Sequence, residues 1–288
     1  MEKIVVLGHK NPDVDSIVSG YLLTNYLRYK KYDAEYVIPD NTVDDEVKGI
    51  LDKVGIDINN FSSEILSCAK LILVDHYETT FDNEVLAVID HHPTVKIFSY
   101  PYYLNEVSPS TTKHIYDLVV NECPKYISRR FMELVLVGMA VDTCSFRSAK
   151  ATKEDETWFL NMCNKYDLNA NEILDIGDCL TDIKDLDKAS VHGYKFYNYN
   201  GVKVGASGIQ IKSISEDDVN LILEKLSKEV VEKDLSMWVF VILNLETNTS
   251  RVYKVTSNNV AVDDYDFVVS RAVNIMPKIE EDILTRNI

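Results

Sequence analysis

Four of the six histidines, His9, His76, His91 and His92, sit beside aspartates just after short apolar runs. The segments are Gly8-His9-Lys10-Asn11-Pro12-Asp13-Val14-Asp15, Val74-Asp75-His76 and Ile89-Asp90-His91-His92-Pro93, while Asp142 closes the apolar stretch 131–141. If these segments are strand ends of an open α/β sheet, their side chains converge in the crevice where such sheets bind ligands. Carboxylates gathered within ~4–6 Å raise one another's pKa, and a divalent cation is the natural compensation. A mixed carboxylate and imidazole set suits manganese, cobalt or iron. Calcium prefers all-oxygen shells, and structural zinc prefers thiolates. The set is large enough for two ions ~3.5–4 Å apart, the arrangement used for in-line displacement at phosphorus. His114 and His192 fall outside the pattern and read as surface or satisfied core residues.

The elements that must position these groups follow from periodicity. Ile4–Leu7, Ala34–Ile38, Leu71–Val74 and Val85–Ile89 read as strands. Between and after them, helices are predicted from Ser16, placed to cap, through Tyr29, and over Asp44–Val54, Ser110–Val120, Phe131–Val141, Thr152–Tyr166 and Asn171–Leu180. This alternation is the signature of βαβ units around a parallel sheet. At 182–188 the sequence turns charged and then tyrosine-rich, which places a domain boundary there. Beyond it come strand Val202–Ile211, helix Glu216–Lys233, strands Met237–Leu245 and Arg251–Val255, and a short C-terminal segment. The tyrosines at 100, 102, 103, 194, 197 and 199 are expected to pack with their hydroxyls at the surface. The expectation is thus an α/β protein with an N-terminal parallel-sheet domain (1–184) bearing a dimetal site, a hinge at 185–189, and a smaller α/β domain (190–288) acting as a lid.

With 30 basic and 46 acidic side chains, the formal charge is 30 − 46 = −16. That balance argues against binding a nucleic-acid duplex or an anionic membrane, both of which need clustered lysine and arginine. It leaves a phosphorylated substrate open, because bound divalent cations invert the local field. No uncharged apolar run approaches the ~18–20 residues of a membrane span. The five scattered cysteines, Cys68, Cys123, Cys144, Cys163 and Cys179, form no Cys-x-x-Cys pair and fit reduced thiols. A cytoplasmic protein is expected.

In order along the chain, the His9–Asp15, Asp75-His76 and Asp90-His91-His92 motifs and Val141-Asp142-Thr143-Cys144-Ser145-Phe146-Arg147-Ser148 resemble the DHH phosphoesterase superfamily. Within it, the chain is most similar to the manganese-dependent (family II) inorganic pyrophosphatases, strongly over about the first 190 residues. The resemblance implies two Mn2+ per chain, with Co2+ or Mg2+ as alternatives. His9 and Asp13 would hold one ion, Asp15, His91 and Asp142 the other, and Asp75 would bridge both. A water shared by the ions would attack phosphorus, and His92 would contact the phosphate and assist the leaving group, so Asp13, Asp75 and His92 are the catalytic candidates. Asp90 and His76 would orient ligands. The C-terminal part resembles the DHHA2 domain, which closes over substrate, and a homodimer is implied.

One departure stands out. The Ser-Arg-Lys-Lys motif of these pyrophosphatases corresponds here to Ser270-Arg271-Ala272-Val273, without the lysines. Arg271, Lys203 and Arg147 are the remaining candidate cationic contacts. The expected reaction is hydrolysis of a phosphoanhydride, pyrophosphate to two phosphates. The rivals are a short-chain exopolyphosphatase, a small-nucleotide phosphodiesterase, and a metal-binding regulatory protein with weak turnover. The nucleotide branch usually carries Gly-Gly-Gly-His, and only Gly205-Ala206-Ser207-Gly208 is present.

Overall fold

The structure, a computed structural model, describes residues 2–38, 43–92, 98–178 and 180–286. Pro93 and Cys179 therefore lie outside the described residues. The chain forms two compact units, one of residues 1–146 and 150–178, the other of 147–149 and 179–288.

The first unit is built on five parallel strands in the order β2-β1-β3-β4-β5. They are β1 (Ile4–Leu7), β2 (Ala34–Val37), β3 (Lys70–Val74), β4 (Val85–Asp90) and β5 (Tyr102–Asn105). The core of β1 and β3 is wholly apolar and buried, as a sheet covered on both faces requires. Its helices are α1 (Val14–Tyr29), α2 (Asp45–Lys53), α3 (Thr111–Glu122), α4 (Arg129–Asp142), α5 (Lys153–Lys165) and α6 (Ala170–Gly177). Asp13, not Ser16, caps α1, because its extended backbone lets Oδ1 accept the Ser16 N–H at 3.0 Å. Helix α6 stops at Gly177, three residues before the expected end at Leu180. Strand β5 was not legible as a strand. It is an edge strand of polar and half-buried residues, and only pairing with β4 defines it.

Gly20 on α1 lets the helix lie against the ring of Tyr36, which a Cβ at that position would overlap. The ring is fixed by Phe61, 5.1 Å away edge-on, and by its hydroxyl donating to Ser16 O at 3.4 Å. Gly20→Ala gains about 1 kcal/mol of helix propensity, but overpacking of this kind costs about 1–3 kcal/mol. The variant is expected to melt several degrees below the wild type by calorimetry. An unchanged or raised midpoint would mean that the ring has room to move.

The second unit is a mixed five-stranded sheet in the order β10-β9-β8-β7-β6. Its strands are β6 (Lys195–Tyr199), β7 (Val202–Ile211), β8 (Met237–Asn244), β9 (Thr249–Val255) and β10 (Val260–Tyr265). Only β7 and β8 run parallel, with α8 (Glu216–Glu232) connecting them. Alternation along β8 sends Trp238, Phe240 and Ile242 to a core with α8, and Val239 and Val241 to a core with α9 (Met276–Arg286). β6 and β7 are joined by Asn200-Gly201, both at positive φ (51° and 90°), the requirement of a tight hairpin turn. Residues 185–189, expected as a hinge, mostly form helix α7 (Leu186–Ser190), whose Ala189 is buried in the α8 core. The tyrosine segments 102–103 and 197–199 are strand residues, and the Tyr103 hydroxyl is buried rather than at the surface.

Candidate metal centre

The chain runs from β1 outward to β2 and later from β3 outward to β4 and β5, so the strand order reverses at the β1–β3 boundary. That is the topological switch point at which open α/β sheets place ligands. His9 follows β1, Asp75 follows β3, and His91 and His92 follow β4, so three neighbouring strand ends deliver their side chains to one crevice. Asp13 and Asp15 come from the start of α1, and Asp142 is the last residue of α4.

Three overlapping sets result, each with ligand atoms within 4.8 Å of one another: His9, Asp13 and Asp75; Asp15, His91 and Asp142; Asp75, His91 and His92. Asp75 stands in the middle. Its Oδ2 lies 3.3 Å from His9 Nε2 and its Oδ1 lies 3.4 Å from His91 Nε2. His9 Nε2 is also 3.4 Å from Asp13 Oδ2, and His91 Nε2 is 3.8 Å from Asp15 and 3.5 Å from Asp142. Asp75 has φ +65°, in the left-handed region, a conformation that non-glycine residues hold mainly where the surroundings enforce it. Its N–H donates to Ile89 O at 3.0 Å, which ties the turn to β4.

The groups that fix these ligands were largely invisible in the sequence. The first backbone N–H groups of α3 point at Asp15: Thr111 N donates to Oδ2 at 2.7 Å and Thr112 N to Oδ1 at 3.0 Å. A helix N-terminus is a natural seat for an anion, here a carboxylate of the same chain. The Thr111 hydroxyl also donates to Asp75 Oδ1 at 3.0 Å. Ser110, the cap of α3, was the only local signal. Asp90, fully buried, accepts the backbone N–H groups of His91 and His92 and the side chain of Asn105, and pairs with His92 Nδ1 at 2.8 Å. Burial pushes the Asp90 carboxyl up, but the His92 hydrogen bond and the His92 and His91 charges hold it below its usual range. Lys150 places Nζ 2.7 Å from each Asp142 oxygen, a contact no spacing rule suggested.

The donor set fits divalent ions. His9 Nδ1 faces Lys10 O at 2.8 Å and His91 Nδ1 faces Ser108 O at 2.9 Å, so each ring, when neutral, keeps its proton on Nδ1. Each Nε2 lone pair is then turned toward carboxylate oxygens, which is repulsive unless a cation lies between them. Asp75 Oδ2 and His91 Nε2 are buried and make no hydrogen bond among the described residues. Without metal, protons must fill the role. Burial works against a charged His91, but Asp142, Asp75 and Asp15 outweigh it and raise its pKa from 6.5 to about 9. Burial, then the Asp75 and Asp142 charges, raise the Asp15 carboxyl well above its usual range. For Asp75, burial acts upward, but the His9 and His91 imidazoles close against its two oxygens prevail and lower it. His76, whose Nδ1 faces Val74 O at 3.0 Å, is pushed down to about 4 by desolvation and stays neutral.

A pH prediction follows for the metal-free protein. The raised His91 pKa contributes stability fully below about pH 6.5 and loses it as the pH climbs through about 9. Asp15, also raised, acts with the same sign, whereas lowered Asp75 is already ionised in this window. In chelator, the melting temperature is therefore expected to fall between about pH 6.5 and about pH 8.5, and the rise on adding Mn2+ to grow over the same range. A flat or rising profile in chelator would show that His91 carries no proton there.

The other expected residues lie in the second unit. Lys203 is half-exposed and ion-paired with Asp234 at 2.8 Å. Arg271 sits in a π-helical turn over Arg271–Ile275 and donates Nη1 to Gly193 O at 2.7 Å and Ala206 O at 3.4 Å. Arg147 is half-buried in the 147–149 segment, where Ser148 bridges to Val268. His114 is a satisfied core residue, with Nε2 facing Glu106 O at 2.9 Å. No disulfide joins the described cysteines Cys68, Cys123, Cys144 and Cys163. No helix among the described residues is long and apolar enough to cross a membrane.

Residues 3–139, which carry the parallel sheet and the candidate ligands at its switch point, match the DHH family, N-terminal domain. Across nearly the whole length it is similar to manganese-dependent inorganic pyrophosphatases. A Listeria innocua protein named "probable manganese-dependent inorganic pyrophosphatase" is 28% identical over 92% of this chain and 89% of its own. A Bacillus mycoides protein of the same name is 28% identical over 98% of this chain and 99% of its own. Among solved structures, a Methanococcus jannaschii protein assigned to the family II inorganic pyrophosphatases superposes with a TM-score of 0.77 at 23% identity, covering 96% of this chain and 98% of its own. That likeness shows the shared fold of both units.

Proposed function

We propose that the chain is a manganese-dependent phosphohydrolase that splits inorganic pyrophosphate into two phosphates. The observation that carries the reading is the pair of ligand sets, His9-Asp13-Asp75 and Asp15-His91-Asp142, joined through Asp75. In this reading the first set would hold one ion, the second another, and Asp75 would serve both positions. Bound ions would supply an activated water and polarise the phosphoryl oxygens. The chain's own residues do the rest. The α3 N-terminus fixes Asp15, and the Thr111 hydroxyl fixes Asp75. Asp90 holds His92 by Nδ1, so Nε2 is the ring atom that would meet a phosphate oxygen and pass a proton to the leaving group. Arg271, Lys203 and Arg147 are the proposed cationic contacts to substrate. Among the described residues, Arg271 Nε and Nη2 donate to no acceptor. The names of the relatives support manganese and pyrophosphate. The homodimer is carried over from the family resemblance alone, and the cytoplasmic setting rests on the scattered cysteines, which form no Cys-x-x-Cys pair.

A short polyphosphate is the second reading, favoured by Ala272 and Val273 where the pyrophosphatases carry lysines. A phosphate-release panel with Mn2+, Co2+ and Mg2+ against pyrophosphate, tripolyphosphate, longer polyphosphate and several nucleotides separates the two. The proposal expects pyrophosphate with Mn2+ to give the highest kcat/KM. A preference for tripolyphosphate would move the assignment to the second reading, and no release from any substrate would overturn both.

A further inference from the structure

Among the groups around the centre, Lys150 is the one that the reading above leaves without a task. Its side chain is 13% exposed and that of Asp142 is 14% exposed, so this is an ion pair withdrawn from solvent. Nζ sits 2.7 Å from Oδ1 and 2.7 Å from Oδ2, engaging both oxygens of the carboxylate. The same Oδ2 is 3.5 Å from His91 Nε2, in the set with Asp15. The backbone between the partners is specialised: Cys144, Ser145 and Phe146 all have positive φ, at 50°, 55° and 64°. Three successive non-glycine residues in the left-handed region are rarely held without a structural demand. Here they lie in the connection that brings Lys150 back to Asp142, eight residues earlier.

Resting on the metal-site reading, we infer that Lys150 is an internal competitor for the second metal position. Its ammonium holds Asp142 in the metal-free protein and must leave that carboxylate for a divalent ion to bind. Asp142 cannot give both oxygens to an ammonium and at the same time coordinate an ion at full strength, and a cation left alongside repels the incoming one. The consequence is that the two ions bind unequally. The ion held by Asp15, His91 and Asp142 is the weaker one, so that its occupancy follows the metal supply while the other position stays filled.

The test is manganese binding itself, by equilibrium dialysis and calorimetry on the full chain without substrate. Wild type, Lys150→Met, Lys150→Arg and Asp142→Asn are compared. A charge-assisted contact of this kind corresponds to about 10–100-fold in affinity. Lys150→Met is therefore expected to tighten the weaker ion by about tenfold or more and to move the tighter one by less than about threefold. Lys150→Arg, which keeps the cation, should stay at or below the wild-type affinity, and Asp142→Asn should lose the weaker ion. In chelator, Lys150→Met should melt below the wild type, yet gain more on adding Mn2+. Should Lys150→Met fold poorly, Lys150→Gln takes its place. Wild-type constants or weaker binding in the neutral variants would overturn the inference while leaving the two-ion reading intact. If wild-type protein binds no Mn2+, or Asp142→Asn loses no ion, the metal reading fails and this inference with it.

Discussion

Asp75→Asn is expected to strip the protein of both manganese ions and to lower phosphate release by about a thousandfold or more. Its two oxygens are 3.3 and 3.4 Å from the imidazole nitrogens of the two ligand sets. The amide removes the negative charge that both positions share and can present only one oxygen. Loss of groups that merely orient a ligand already weakens metal affinity about 10–100-fold, so loss of a shared ligand should exceed that at each position. Asn is a clean replacement, because it tolerates the left-handed backbone that Asp75 adopts at φ +65°. Metal content after dialysis, alongside activity, decides the matter. Two tightly held ions in an active variant would sink the two-ion reading.

The second large effect is expected at His92. Its Nδ1 is held by Asp90 at 2.8 Å, and Asp90 is itself held by two backbone N–H groups and by Asn105. A ring fixed in this way is suited to proton transfer at Nε2, a role whose loss costs roughly 10²–10⁴ in rate. His92→Gln should therefore lower kcat by about that factor while retaining wild-type manganese content. Asp90→Asn, which loosens the ring without removing it, should lower kcat by less. Since His92 Nδ1 is also 3.6 Å from Asp75 Oδ1, the alternative is that His92 is a ligand. A His92→Gln variant that loses an ion would establish that alternative.

The candidate ligand set was legible because strand ends are local features of a sequence. Apolar runs end abruptly in His9, Asp75 and Asp90-His91-His92, and polar groups that leave a buried strand together need a reason to be there. Helix α4 was legible for the same reason, as a buried apolar run closed by Asp142. Strands β5, β6 and β10 were not. They are edge strands, β5 and β6 tyrosine-rich and β10 a short, mostly exposed Val-Ala-Val-Asp-Asp-Tyr run, and their state depends on a neighbouring strand rather than on their own pattern. Residues 185–189, expected as a hinge, were not legible as part of helix α7, because charged composition does not reveal the buried Ala189 and Ser190 that dock it.

The sequence by itself determined which residue types could hold metal, that they follow successive strands of a parallel sheet, and that the remaining chain forms a second α/β unit. Only the tertiary structure decided how they are held. The α3 amides on Asp15, the Thr111 hydroxyl on Asp75 and the Lys150 ammonium on Asp142 join residues between 8 and 97 positions apart. The physical reason is that a side chain's direction along one strand or helix is set by local periodicity. Which partner meets it across a crevice is set by the strand order, which brings distant chain ends to the same switch point.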